Sequence, residues 1–165
     1  MFEVGEKVVY GVIGACEVEE IGTPPIKGVT GDYYFLQPVY DSKGIIYSPV
    51  ANTKVMIRSV VKKTECKKLM SIAKHCKDDE NLQNKISPRD YDEYVKSQDP
   101  YKLMHLIRSL YMIRNERAKE VRKMKSADSR MLLTARKLLY GEMATSFEKD
   151  FSEVADKMDE YLGVD

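Results

Sequence analysis

The sequence is poor in the residues that most often carry chemistry. It has two histidines, His75 and His105, three cysteines, Cys16, Cys66 and Cys76, and no tryptophan. Cys66 and Cys76 lie ten apart and no CxxC occurs, so the ligand spacing of a zinc site is missing and the thiols read as ordinary side chains. An odd cysteine count without a secretion signal also argues against a disulfide framework. No apolar run approaches the roughly 18 residues that a membrane span needs. The N-terminal "MFEVGEKVVY" carries acidic residues and no apolar stretch of signal-peptide length, which reads as a cytoplasmic chain. GxxxxGK[ST] and GxGxxG are both absent, and "YGVIGA" is a barrel turn rather than a phosphate cradle. The histidines are far apart and neither sits in a nucleophile motif. No cofactor is implied, and no enzyme. An enzyme would need a pocket pairing His75 or His105 with an acidic partner.

What the sequence has is charge, unevenly placed. The net charge is only +1. Residues 1–60 hold five basic and seven acidic side chains, residues 61–140 twenty and eleven, and residues 141–165 two and eight. Such asymmetry bears on partners rather than on fold.

The hydrophobic period also changes along the chain. "EKVVY", "ACEVEEI", "DYYFLQPVY", "IIYSPVAN" and "VMIRSVV" are β-branched, aromatic or alternating, as half-buried strands are. "TPPIKG" interrupts them as a loop, because two prolines cannot donate to a sheet ladder. "DSKG" reads as a hairpin turn with Gly44 at positive φ. Four to five short strands predict a small SH3-like or Tudor-like barrel over residues 1–60. From Thr64 the period becomes helical. Thr64, Ser87-Pro88, Asp99-Pro100 and Ser126 or Asp128 are start signals. "KDDENLQNKI" reads as a linker, and Thr145 with Glu148 forms a T-x-x-E capping box before a last helix that Gly163 closes. Residues 61–165 are thus expected to form a bundle of about five helices, giving an α+β chain of two domains.

One stretch stands apart. Between Arg114 and Lys137, nine residues are Lys or Arg: Arg114, Arg117, Lys119, Arg122, Lys123, Lys125, Arg130, Arg136 and Lys137. Glu116, Glu120 and Asp128 offset only part of that charge. The excess falls at a turn between helices, where N–H groups of the following helix add to a phosphate site. A solvated helix face is the plain alternative. A polyanion, most simply DNA bound through its phosphates with weak sequence preference, accounts better for the density. In the barrel half, the "GIIYSPVAN" edge suits strand addition to another protein. Packing of Ile45, Ile46 and Tyr47 in the barrel core is the alternative there. One of Ile45 and Ile46 must point outward if both lie on a strand.

Both halves resemble the CarD/CdnL regulators. "FEVGEKVVYGVIGACEVEEI", "YYFLQPV" and "IIYSPVAN" resemble the RNA-polymerase-interacting domain that these regulators share with transcription-repair coupling factors. "SQDPYKLMHLIRSLY" resembles the family's S-G-D…V-V-R-D-L-W segment, and "SADSRMLLTARKLLYGEMA" its S-x-x-E-x-x-M-L-x-x-A-R-x-x-L-x-x-E segment. The resemblance implies a Tudor-like domain that binds the β subunit of bacterial RNA polymerase. It also implies a helical domain that contacts promoter DNA near the upstream edge of the transcription bubble and modulates open-complex stability. A protein-only adaptor that binds polymerase without touching DNA is the alternative. The family's wedge Trp falls near Asn84, followed by Lys85; Tyr91 is the other residue that could supply an aromatic. Positions where relatives use Arg toward the polymerase are Pro24 and Tyr47 here. The expected DNA contacts are Asn84, Lys85, Arg89, Lys123, Lys125 and Arg130. The expected polymerase contacts are Pro24, Lys27, Ile45, Tyr47 and Pro49, with no metal and no membrane involved.

Overall fold

Alternation in the N-terminal part is realised as five antiparallel strands: β1 (Lys7–Tyr10), β2 (Gly14–Gly22), β3 (Tyr33–Pro38), β4 (Ile46–Pro49) and β5 (Ile57–Ser59). Their order in the sheet is β4-β3-β2-β1-β5, which leaves β4 and β5 as the edges. The structure, a computed structural model, describes residues 1–40, 44–52 and 54–165, so the expected "DSKG" turn lies outside the described residues apart from Gly44. Two compact units follow one another, Met1–Val60 and Val61–Asp165.

In the first unit, Val8, Cys16, Val18, Tyr34 and Leu36 fill one face of the sheet. The β2–β3 register shifts between Val18 and Glu20, a bulge that lets so long a strand bend around that core. The β1–β2 turn needs Gly11, whose φ is 48° and whose absent Cβ would lie 2.9 Å from Val55 Cγ1. Pro38 and Pro49 each end a strand, where a missing N–H does least harm.

The second unit has five α-helices among its described residues: α1 (Lys63–Lys74), α2 (Tyr91–Lys96), α3 (Pro100–Lys119), α4 (Ser126–Phe147) and α5 (Phe151–Leu162). α3 is central and touches every other helix of the unit. Its stripe of Leu103, Leu106, Ile107, Leu110 and Tyr111 is buried. Each large apolar side chain so buried contributes about 1.5–3 kcal/mol. Asp99 starts the helix as expected, its Oδ1 accepting the Tyr101 N–H at 2.9 Å, with Pro100 in the first turn.

Three expectations need correction. Thr64 does not cap α1; the cap is Lys62, in extended backbone, and Thr64 lies in the first turn. The T-x-x-E pattern is not a capping box. Thr145 sits inside α4 and donates its hydroxyl to the Gly141 carbonyl at 2.8 Å, while Glu148 ends that helix at φ 57°. The N-cap position of α5 is instead Asp150, in extended backbone and without a side-chain cap hydrogen bond. The "KDDENLQNKI" segment is more than a linker: it forms the short 3₁₀ turns Cys76–Asp78 and Glu80–Leu82, and Leu82 and Ile86 join the helical core.

Candidate functional site

The basic stretch forms the turn between α3 and α4. After Lys119 the Val121 N–H donates to the Ala118 carbonyl at 3.0 Å and the Arg122 N–H to the Arg117 carbonyl at 2.8 Å. This is a Schellman ending, with Val121 in the left-handed position at φ 55°. Arg117 Nε reaches forward to the Lys123 carbonyl at 2.6 Å, fixing the run into α4. α4 has no side-chain cap, so its first-turn N–H groups and the positive end of its dipole add to the local cations.

The segment before α2 packs beside this turn. Lys85 pairs with Glu116 of α3. The Ile86 N–H donates to Ser109 Oγ at 2.9 Å. The Tyr91 hydroxyl donates to Asp128 Oδ1, in the first turn of α4, at 3.1 Å. Burial and the neighbouring Asp128 carboxylate push that hydroxyl up to about 12. A cleft of about 320 Å³ runs between the two segments, lined by Pro88, Tyr91, Arg117, Arg122, Lys125 and Asp128.

Of the expected DNA residues, Lys125 lines this cleft and Lys85 reaches its edge through Glu116. Arg89, Lys123, Lys125 and Arg130 are exposed, and none has an ion-pair partner among the described residues. Asn84 is exposed, and its backbone carbonyl accepts from His105 Nε2 at 2.7 Å. Tyr91 does not offer an aromatic surface: it is 5 % exposed, and its hydroxyl is held by Asp128. Four members of the basic run are engaged within the unit: Arg117 on the Lys123 carbonyl, Arg122 with Glu120, and two more. Arg136 forms a two-pronged pair with Asp159 of α5, at 3.2 Å and 2.6 Å. Arg114 stacks on the Tyr111 ring at 4.4 Å. Lys119 adds an exposed cation at the end of α3 that the expected set had left out.

In the first unit, edge strand β4 pairs only with β3 among the described residues. Ile46 packs on the core and Ser48 is buried, so Tyr47 and Pro49 face outward. Tyr47 lies opposite Phe35 in the ladder and meets it edge-to-face at 4.9 Å; Pro49 lies opposite Tyr33. Tyr33, Phe35, Tyr47 and Pro49 thus share an outer aromatic face. Tyr33 and Phe35 were legible from the alternation of "YYFLQ" but not singled out. Ile45 precedes the strand and is half-buried, as is Ile46, so the choice between them does not arise on one strand. Lys27 is exposed, whereas Pro24 is buried within its loop and offers no contact surface.

Comparison with known families matches residues 2–61 to the CarD-like/TRCF RID domain and residues 68–159 to the CarD C-terminal domain. The chain belongs to the CarD family. It is a transcription regulator of the CarD type, from a family of non-enzymatic regulators that bind RNA polymerase. The two helical segments whose motifs resemble CarD proteins hold much of the interior. In "SQDP", Ser97 Oγ accepts the Asp99 N–H at 3.1 Å, and Gln98 takes φ 54°, a value natural for the family's Gly. Arg108 is 2 % exposed and donates to the Leu162 carbonyl at 2.9 Å and to the Val164 carbonyl, closing the C-terminal end of α5. Glu142 accepts the Val61 N–H at 2.9 Å, and Ser146 donates to the Val61 carbonyl at 2.6 Å, which anchors the chain entering α1.

Each histidine lines a cleft that also holds acidic residues, His75 with Asp78, Asp79 and Glu80, and His105 with Asp79. His105 lines a cavity of about 290 Å³ that also contains Asp79 and Tyr101. Its Nε2 donates to Asn84, while Asp79 Oδ1 accepts the Asn81 N–H at 3.0 Å, so the two side chains do not form an acid–base pair. His75 donates to the Ser71 carbonyl at 2.9 Å. Among the described residues no group of His, Cys, Asp and Glu is gathered to hold a metal ion, and no helix is long and apolar enough to cross a membrane.

Proposed function

We propose that the first unit docks on the β subunit of bacterial RNA polymerase while the helical unit contacts promoter DNA near the upstream edge of the transcription bubble, modulating the stability of the open complex. The observation that carries the DNA part is the meeting of the 84–91 segment with the α3–α4 turn, where Arg89, Lys123, Lys125 and Arg130 stand exposed without ion-pair partners among the described residues. Phosphate contacts from these side chains and from the α4 N-terminus would set affinity with little sequence preference. Asn84 and Lys85 flank this surface. Lys85 must exchange Glu116 for phosphate to take part.

For polymerase docking, the open edge of β4 and the outward Tyr47 and Pro49 support addition of a partner strand. Ile45 and Lys27 would lie at the margins of that contact. Aromatic packing by Tyr47 on Phe35 gives the edge a rigid apolar anchor.

A footprint of a polymerase–promoter complex with and without the protein tests both parts. Added protection at the upstream bubble edge is expected. Tyr47→Ala is expected to remove that protection and to reduce recovery of a β-subunit fragment in a pull-down. Recovery of polymerase with an unaltered footprint would leave a protein-only adaptor and reject the DNA contact. Equal recovery by Tyr47→Ala would reject the docking strand.

A further inference from the structure

We propose that the helical unit carries a second docking site, a groove between α1 and α5 that takes an acidic peptide segment by one or two of its large apolar side chains.

The groove follows from how α4 ends. Phe147 is its last residue, and Glu148 turns the chain at φ 57°, with the Lys149 N–H donating to the Ala144 carbonyl at 3.0 Å. α5 then packs on α1, and Met70, Phe147, Lys149, Glu153, Val154 and Lys157 line a cleft of about 310 Å³. Val154 is buried, while Met70 and Phe147 pack on the core with one side and are half-buried. The floor is therefore apolar and already in place. Its size is at the low end for a binding pocket, with room for a side chain or two rather than for a folded domain. An unbranched Met adapts such a floor to side chains of different shape.

Lysines stand around that floor. Residues three and four apart are neighbours on a helix, so Lys67 and Lys74 flank Met70 on α1, and Lys63 lies one turn before Lys67. From the α5 side come Lys149 and Lys157, each 5.5 Å from the centre of an aromatic ring, Phe147 and Tyr161 respectively. The acids nearby are already paired: Glu148 with Lys63 at 3.7 Å, Glu153 with Lys149 at 3.5 Å and Glu160 with Lys157 at 3.9 Å. Lys67 and Lys74 are exposed and have no ion-pair partner among the described residues. The charge left over is positive.

Floor and rim together select the partner. A duplex could use the lysines but has no side chain for an apolar cleft. An uncharged apolar segment would leave Lys67 and Lys74 without a counter-charge. A segment with carboxylates around one or two Leu- or Phe-sized side chains uses both: the buried anchors supply affinity, and the charges set orientation and encounter rate. None of the groove residues belongs to the 84–91 segment or to the α3–α4 turn, so this site is separate from the surface assigned to DNA.

The test uses the full chain and a fluorescein-labelled peptide of Glu and Leu, with the leucines at helical spacing, read by anisotropy. Two control peptides have the same composition in scrambled order and the same pattern with Lys in place of Glu. The acidic patterned peptide is expected to bind saturably, about tenfold more tightly than either control. Met70→Gln makes the floor polar at unchanged charge. Lys67→Glu with Lys74→Glu reverses the rim at two exposed positions, where the fold is not at risk. Each variant is expected to weaken peptide binding about tenfold while unfolding at the wild-type temperature. Charge reversal should also flatten the salt dependence of peptide binding, whereas Met70→Gln should leave it unaltered. No saturable binding, equal binding of the scrambled peptide, or wild-type affinity in either variant would overturn the docking site. Binding to phosphatidylglycerol vesicles in preference to the peptide would overturn it in favour of an anionic lipid surface.

Discussion

Replacing Lys123 and Lys125 together by Gln should change how DNA binding responds to salt, by an amount the structure sets. Five cations at this end of the helical unit, Arg89, Lys119, Lys123, Lys125 and Arg130, are exposed without ion-pair partners among the described residues. If each displaces one phosphate counterion, log K falls against log salt with a slope of about −4.5, and affinity drops roughly 500-fold between about 50 and 200 mM salt. Removing two cations leaves a slope of about −2.7 and a drop of roughly 40-fold over the same range. Fluorescence anisotropy with a labelled duplex, titrated at several salt concentrations, measures both slopes. Arg136→Gln is the internal control. That guanidinium is held by Asp159 through two contacts, so its loss should leave the slope unaltered while weakening the fold. A double variant with the wild-type slope, or an Arg136→Gln slope as shallow as that of the double variant, would refute the assignment of the contacting cations.

Three further outcomes follow from the interior and the turn. Asp159 accepts from the Tyr111 hydroxyl at 2.6 Å, the Tyr140 hydroxyl at 2.9 Å and Arg136, joining α5 to α3 and α4. Asp159→Ala leaves all three donors without that acceptor and should lower unfolding stability by about 3 kcal/mol, the low end for breaking a buried pair because the site is partly wet; a urea midpoint equal to wild type would contradict this. Tyr91 carries a hydroxyl pushed up to about 12 by burial and by Asp128. Because the folded value lies above the ordinary 10, that hydroxyl's contribution is complete below about pH 10 and fades as pH rises toward 12. Burial also raises Tyr111 and Tyr140, so unfolding should coincide with a late phenolate absorbance step, and Tyr91→Phe should flatten part of the alkaline stability loss. Val121→Gly should raise stability by about 1 kcal/mol through relief of the left-handed β-branched residue; thermal unfolding at or below the wild-type temperature would show that the turn is not strained.

The elements were legible where a local signal was sufficient. Alternation in "EKVVY" and "YYFLQ" and the apolar stripe of α3 each depend on residues a few positions apart, and strands and helix formed there. Caps were legible only when unopposed. Asp99-Pro100 has no competing pattern and begins α3. Thr145 and Glu148 carry the right chemistry for a start, but the apolar face through Leu139, Met143 and Phe147 keeps α4 going past Thr145, whose hydroxyl then returns to Gly141. The site was legible as a density of charge and not as a set of contacts. Nothing near Arg136 indicates that Asp159 will meet it, and nothing near Tyr91 points to Asp128. Those pairings depend on how helices pack, and they decided which candidates face solvent.

The same distinction separates the scaffold of this CarD-type chain from its surface. Asp99, Arg108, Arg136 and Glu142 lie in the part matched to the CarD C-terminal domain, and each holds backbone or another side chain within the helical unit. They preserve the architecture whatever the partner. The surface assigned to DNA lies mainly in residues 84–91 and 119–125, where side chains such as Asn84 and Val121 are exposed. A change there leaves the core intact and alters only what the turn presents.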